Sequence, residues 1–300
     1  MRVGASAIRN ICSKRHYVDE HIMSPSSIAR SVPVDFWLLC AATSPAVSDL
    51  KLCSTVLEAH RTDAGASAAI HNLASAGRPI AVEMAADGDR RAFRLPHQPH
   101  SLVLQEDTFG ACGFGHRVWE AGVALAIWLS LNASIIKGRR VLELGSGVGI
   151  GGIAAALQQP QSVTLSDYSR PEAPSLLENL RANAAANHVA TATRALDWHE
   201  CLDDRDAPSV DDLYDVVLGS DCIYYPSDAA ALAAALKRHL RPDGGVAVLF
   251  NRVGREGDPA EAFLEALREL DLGNIETEEL NIVSNYGSEA LQRVTLVRDV

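Results

Sequence analysis

From residue 118 onward the chain alternates short apolar runs with helix-length stretches, and this alternation constrains the fold more than any other feature. The spacing predicts strands over 140–144, 162–166, 191–196, 215–219 and 245–250. Helices are predicted over 119–131, from the glycine-rich turn to residue 157, and over 172–187, 228–240 and 259–270. Strands that alternate with helices build a parallel sheet covered on both faces. The ending departs from that rule. Strands predicted at 275–280 and 292–297 have only a loop around Asn285-Tyr286-Gly287 between them, so they must pair as an antiparallel hairpin. The expectation is an α/β, Rossmann-like sheet of seven strands whose last strand is antiparallel. A dinucleotide-binding dehydrogenase of the usual six-stranded parallel kind lacks that hairpin.

The first part of the chain is less regular. Residues 31–76 read as helical: Val34, Phe36, Trp37, Leu38 and Leu39 cluster, and Leu50, Leu52, Val56 and Leu57 repeat near helical spacing. Short strands are expected at 80–84 and 101–104, with a turn at Asp87-Gly88-Asp89. This divides the chain into a partly helical N-terminal extension, 1–76, and a main domain, 77–300.

Composition narrows the function classes. Hydrophobic residues make up 47% of the chain, enough for a sizeable core. The net charge of -11 argues against a protein held on nucleic acid or on an anionic membrane. The most apolar stretch, 118–136, contains Glu120, Ser130 and Asn132, which suits a helix packed on a sheet better than a membrane span. The six cysteines form no C-x-x-C pair and none lies beside a His at metal-ligand spacing, so no metal site is expected and free thiols are. The first sixteen residues carry Arg2, Arg9, Lys14 and Arg15 and no acid, as mitochondrial transit peptides do, but with a poor amphipathic pattern. A monomer in the cytoplasm is the expectation.

The chemistry-bearing residues follow the predicted strands. Val141-Leu142-Glu143-Leu144 runs into Gly145-Ser146-Gly147-Val148-Gly149 and then a helix. Glycines let a backbone approach a ligand closely, and a helix amino terminus offers free N–H groups to an anion. The same glycines also satisfy G-x-G-x-x-G, the dinucleotide fingerprint. Glu143, two residues before the first glycine, could meet an amino group directly or through water. Asp167 ends the second strand, where a carboxylate can accept hydrogen bonds from ribose hydroxyls. Leu196-Asp197-Trp198 closes the third strand, where Trp198 offers a flat apolar face for adenine and Asp197 an acceptor for its amino group. Asp221-Cys222-Ile223-Tyr224 follows the fourth strand and brings a carboxylate and a phenol to the same crevice. It is not the Asn-Pro-Pro-Tyr type of loop, which weakens a nucleic-acid target.

Val118-Trp119-Glu120-Ala121, the glycine turn from Glu143 to Gly149, Asp167, Leu196-Asp197-Trp198 and Asp221-Cys222-Ile223-Tyr224 occur here in one order over roughly residues 101–300. In this the chain resembles the seven-β-strand (class I) protein-lysine methyltransferases that modify chaperones, elongation factors and calmodulin. The resemblance implies S-adenosyl-L-methionine as cofactor and a protein side chain, the lysine ε-amine, as acceptor. It implies that Trp119, Gly145, Ser146, Gly147, Asp167, Trp198 and Ser220 contact the cofactor and that Asp221 and Tyr224 face the substrate. A related subgroup methylates arginine, and small-molecule N- or O-methyltransferases share the fold, so both stand as alternatives. A non-catalytic module or a dehydrogenase reading of the glycines is opposed by the hairpin and by Asp221 to Tyr224.

Overall fold

The computed structural model describes residues 34–41, 80–203, 209–284 and 287–298. In chain order they form β1 (Val34–Ala41), β2 (Ile80–Asp87), β3 (Arg90–Arg94), β4 (Leu102–Gln105), α1 (Glu120–Leu131), β5 (Arg140–Leu144) and α2 (Ile150–Ala156). Then come β6 (Ser162–Asp167), α3 (Leu176–Ala186), β7 (Ala192–Ala195), β8 (Val216–Ser220), α4 (Ala229–His239), β9 (Val246–Arg252), α5 (Pro259–Leu270), β10 (Asn274–Ser284) and β11 (Gly287–Val297). Every strand and helix predicted after residue 118 is present, with ends shifted by a few residues.

The strand order is β4-β3-β2-β1-β10-β11-β9-β8-β5-β6-β7. Strands β7, β6, β5, β8 and β9 are parallel; β11 runs antiparallel to β9, and β10 antiparallel to β11. Chain order reverses between β5 and β8, where the connections leave in opposite directions. That is the position at which α/β sheets open a crevice.

Strand β5 shows how the sheet is dressed. Leu142 and Leu144 enter one core with Leu232, Leu236, Phe263 and Leu267 of α4 and α5. Val141 faces the other way, with Val123, Ile127 and Ile153 of α1 and α2. This is the two-residue alternation of a strand. Helix α1 is apolar around its circumference, and Val123, Ala124, Leu125, Ala126 and Ile127 are all fully buried. A helix with no polar face must be covered on all sides. Part of the cover comes from outside the seven strands: Met84, Phe93, Leu102 and Leu104 of β2–β4 belong to the same buried cluster. No helix among the described residues is long and apolar enough to cross a membrane.

The region before residue 118 differs from the sequence reading. Residues 34–41 are a strand, not helix, paired with β2 and β10. Val34 to Leu39 is a nearly continuous apolar run, for which periodicity cannot separate strand from helix. Neighbours with free edges decide. The boundary drawn at 76/77 and the rest of the region read as helical lie outside the described residues. Strand β3 was not anticipated: three arginines in five residues hide it, and its buried pair Ala92 and Phe93 is consecutive rather than alternating.

Strand β4 ends the sheet, and its free edge is met by asparagines of α3. Gln105 donates its N–H to Asn183 Oδ1 at 2.7 Å, and Asn183 Nδ2 donates to the Gln105 carbonyl at 3.0 Å. Asn187, which caps α3, treats Val103 the same way, accepting its N–H at 2.8 Å and donating to its carbonyl. Asn179 adds a third amide to the Gln105 carbonyl at 3.1 Å.

Candidate active site

The carboxyl ends of β5, β6, β7 and β8 border a cavity of about 380 Å³. Trp119, Gly145, Ser146, Gly147, Asp167, Asp197, Trp198, Ser220, Asp221 and Tyr224 all line it. Residues drawn from five separate stretches of sequence thus meet around one cavity.

The turn after β5 is built on left-handed backbone: φ is +63° at Gly145, +53° at Gly147 and +94° at Gly149. Side chains with a Cβ rarely adopt these values. Gly147 also packs against Gly115, whose Cα would lie 3.3 Å from a Cβ placed there. Asp167 fixes the turn. Its Oδ2 accepts the Gly147 N–H at 2.8 Å and its Oδ1 accepts the Tyr168 N–H at 2.9 Å. Burial pushes the Asp167 carboxyl up to about 6, against the pull of these two amides. Each oxygen keeps a second acceptor site for a hydroxyl.

Glu143 does not line the cavity. Its place on β5 turns it, with Val141, toward the helix layer. The carboxylate lies under the first turn of α2, where a Cβ on Gly151 or Gly152 would collide with it, at 2.7 Å from Oε2 in the case of Gly152. Burial raises its carboxyl to about 7, opposed by the Ser146 hydroxyl and the Gly152 amide. Oε2 has no hydrogen-bond partner among the described residues. The second pair of glycines therefore makes room for an acid of the protein itself, which the sequence reading had assigned to a ligand.

Trp198 packs on the turn, 3.1 Å from the position of a Cβ on Gly145. Asp197 is on the wall, with part of its acceptor capacity already in use. Arg170 bonds Oδ2, while the His199 N–H donates to Oδ1 at 3.1 Å. Burial works to raise the Asp197 carboxyl; the bonds from Arg170 and His199 outweigh it and hold the group below its usual range.

The far end is aromatic. Tyr224 stacks on Phe114 with centroids 4.6 Å apart, and Trp119 meets its edge at 6.5 Å. Trp119 donates its indole N–H to the Phe114 carbonyl at 2.9 Å. Burial, then the neighbouring Asp221 and Cys222, push the Tyr224 phenol well up, so it stays protonated. Asp221 is 4% exposed and has a left-handed φ of +51°, costly for a residue with a Cβ. Its carboxylate is held by Arg255, from the loop after β9, at 2.8 Å.

Arg170, Arg255, Phe114 and Tyr168 were not found from sequence. Arg255 lies 34 residues from Asp221, and nothing in its local sequence marks it. The Gly110, Gly113 and Gly115 spacing ahead of the Trp119 helix was the available hint of Phe114. No cluster of three or more potential metal ligands occurs among the described residues.

Comparison with known proteins gives a consistent result. A family model described as "Lysine methyltransferase" matches residues 96–269, which contain every lining residue named above. Protein N-lysine methyltransferase METTL21A of Danio rerio is 34% identical over 171 residues, 57% of this chain and 74% of its own length. Histone-arginine methyltransferase METTL23 of Xenopus laevis is 38% identical over 119 residues, 39% of this chain and 48% of its own. A solved structure assigned as a SAM-dependent methyltransferase from Streptococcus mutans covers 73% of this chain and 58% of its own, with TM-score 0.50 and 14% identity, and speaks to the fold alone. With more than half of its length matched and the seven-strand sheet in place, this chain belongs to the lysine methyltransferase family.

Proposed function

We propose that this protein transfers the methyl group of S-adenosyl-L-methionine to the ε-amine of a lysine in a protein substrate. The observation that carries the reading is the meeting of two unlike ends in one cavity. At one end is a glycine turn pinned by a carboxylate; at the other, an aromatic corner of Phe114, Trp119 and Tyr224 whose Phe114 ring is open to solvent.

The residues fit the cofactor. Asp167 keeps two acceptor sites for neighbouring hydroxyls, Trp198 supplies a flat face, and the turn at Gly145 to Gly147 has no side chain that would fill the cradle. Trp119 and Ser220 complete the wall that would hold it. When bound, it would supply an electrophilic sulfonium methyl, whose transfer leaves a neutral thioether.

The protein's own tasks are then orientation and deprotonation. A free lysine has a pKa of about 10.4, and burial among aromatic rings disfavours its charged form. Phe114, Trp119 and Tyr224 border the cavity at the place where a docked substrate would cover that lysine. The protonated Tyr224 phenol can accept an N–H and aim the nitrogen lone pair. Holding nucleophile, methyl and sulfur in line supplies most of the rate. Three buried free thiols, Cys112, Cys201 and Cys222, support a reducing, cytoplasmic setting.

The test is incubation of the protein with tritiated S-adenosylmethionine and a eukaryotic cell lysate, followed by gel separation and acid hydrolysis of any labelled band. Tritium in methyllysine supports the reading. Tritium in methylarginine would favour the chemistry named for the Xenopus relative. Label only in small molecules would move the acceptor out of the protein class.

A further inference from the structure

We propose that Arg255 is a positioning residue for methyl transfer, acting on the Asp221–Tyr224 corner by holding its shape and cancelling its negative charge. This rests on the lysine reading above.

One guanidinium grips three of the four residues from 221 to 224. Nη2 lies 2.8 Å from Asp221 Oδ1 and 2.8 Å from Oδ2. Nη1 donates to the Ile223 carbonyl at 2.7 Å, and the guanidinium carbon is 4.8 Å from the Tyr224 ring centroid. The Arg255 side chain is 17% exposed and the Asp221 side chain 4%. The arginine is itself held. Its carbonyl accepts the Asp258 N–H at 3.1 Å, Val253 donates to the Ala290 carbonyl at 3.1 Å, and Gly257 packs on Pro226. Asp221 is strained at φ +51° while its N–H bonds the Phe250 carbonyl at 2.8 Å. A strained elbow persists only when its surroundings over-determine it, and Arg255 supplies three of the contacts that do so.

Charge gives the second argument. A carboxylate beside an entering ammonium stabilises the protonated amine, which cannot attack a methyl group. Other charges near this corner do not neutralise Asp221. Glu120 of α1 and Glu289 of β11 are acids, and Arg252 is paired with Glu289 at 3.1 Å. Arg117 stacks on Trp119 at 4.2 Å, while Cys222 and Tyr224 are held protonated by burial. Arg255 is the cation bonded to the Asp221 carboxylate. With it in place the corner can take a lysine without trapping its proton. Asp221, which the resemblance sets facing the substrate, then acts as an Asp221–Arg255 unit.

The experiment uses the full chain, tritiated S-adenosylmethionine and the lysate band labelled by the wild type. Arg255→Met, Arg255→Lys, Asp221→Asn and the double variant Asp221→Asn/Arg255→Met are compared. Labelling rate at saturating cofactor is followed against pH, beside calorimetric affinity for S-adenosylmethionine. Arg255→Met should label about a hundredfold more slowly, with cofactor affinity unchanged within about threefold. The acid limb of its pH profile should move up by about one unit, because Asp221 then holds the ammonium. Arg255→Lys should return the limb toward the wild-type position. The double variant should return it too, but remain slow. Wild-type rate and limb in Arg255→Met would overturn the proposal. So would loss of cofactor affinity in step with rate, the mark of general misfolding. Absence of a methyllysine band with the wild type would instead overturn the lysine reading, and this inference with it.

Discussion

Replacing Gly152 by alanine tests whether the glycines of α2 serve the buried acid. In an ordinary helix the change stabilises by about 1 kcal/mol, since glycine has the greater backbone freedom to lose. Here the new Cβ would lie 2.7 Å from Glu143 Oε2 and closer still to Leu165 Cδ2, and both side chains are fully buried. Overpacking of a tight core costs about 1–3 kcal/mol. Pushing the carboxylate off the Gly152 amide leaves a buried group unsatisfied, a further cost of about 1–3 kcal/mol. Allowing for the helical gain, the net loss is about 1–5 kcal/mol, or a melting temperature lower by about 2–20 °C for a domain of this size. Urea denaturation of the wild type, Gly152→Ala, Glu143→Ala and the double variant closes the cycle. The double variant should be more stable than the sum of the single losses by at least about 0.5 kcal/mol. Additive losses, or a stabilised Gly152→Ala, would refute the contact between these residues.

Three further predictions follow from the same geometry. The Glu143 carboxyl is raised from 4.5 to about 7 in the fold, so its contribution is full below 4.5 and lost as pH rises through 7. Glu143→Gln should therefore gain relative to the wild type between pH 4.5 and 8, by up to about 3 kcal/mol at about 1.36 kcal/mol per unit, as urea midpoints at the two ends will show. Asp167→Asn places an amide donor toward the Gly147 and Tyr168 N–H groups, and should weaken S-adenosylmethionine by about ten- to a hundredfold in calorimetry; unchanged affinity would remove Asp167 from the cofactor site. Asn183→Ala strips bonds from Gln105 and from the Val148 carbonyl, and should cost about 2–4 kcal/mol, with faster hydrogen exchange at the Gln105 amide. Protection equal to the wild type at that amide would mean the edge is closed by something else.

The legible part of this fold is the part built by repetition. Each strand of β5, β6, β8 and β9 has apolar residues bounded by a turn, and each following helix has its own period, so local pattern and final structure agree. Residues at strand ends were legible as neighbours around one crevice, and Asp167, Trp198 and Asp221 do line the cavity. Position along the chain does not by itself give the direction of a side chain. Glu143 is at a strand end too, but the two-residue alternation of β5 turns it into the helix layer. Arg255 was invisible because its partner is reached through space across the β9 loop. Strand β1 was misread because a nearly continuous apolar run carries no clear period. Its paired neighbours β2 and β10, 39 residues or more away, fix its state.

The asparagine seam on β4 works as a vernier between two rulers. Four residues of helix advance about 6.0 Å, and two residues of strand about 6.6 Å. Asn183 and Asn187 are four apart on the helix, and their partners Gln105 and Val103 two apart on the strand. The mismatch is about half an ångström per rung, tolerable for two rungs and growing with each one added. This sets a natural limit on how long such a seam can be, in keeping with a β4 of four residues. It also leaves the backbone groups of Val103 and Gln105 already matched, so that edge has little to offer an incoming strand. A single residue inserted between Asn183 and Asn187 would put the two rulers out of step and reopen it.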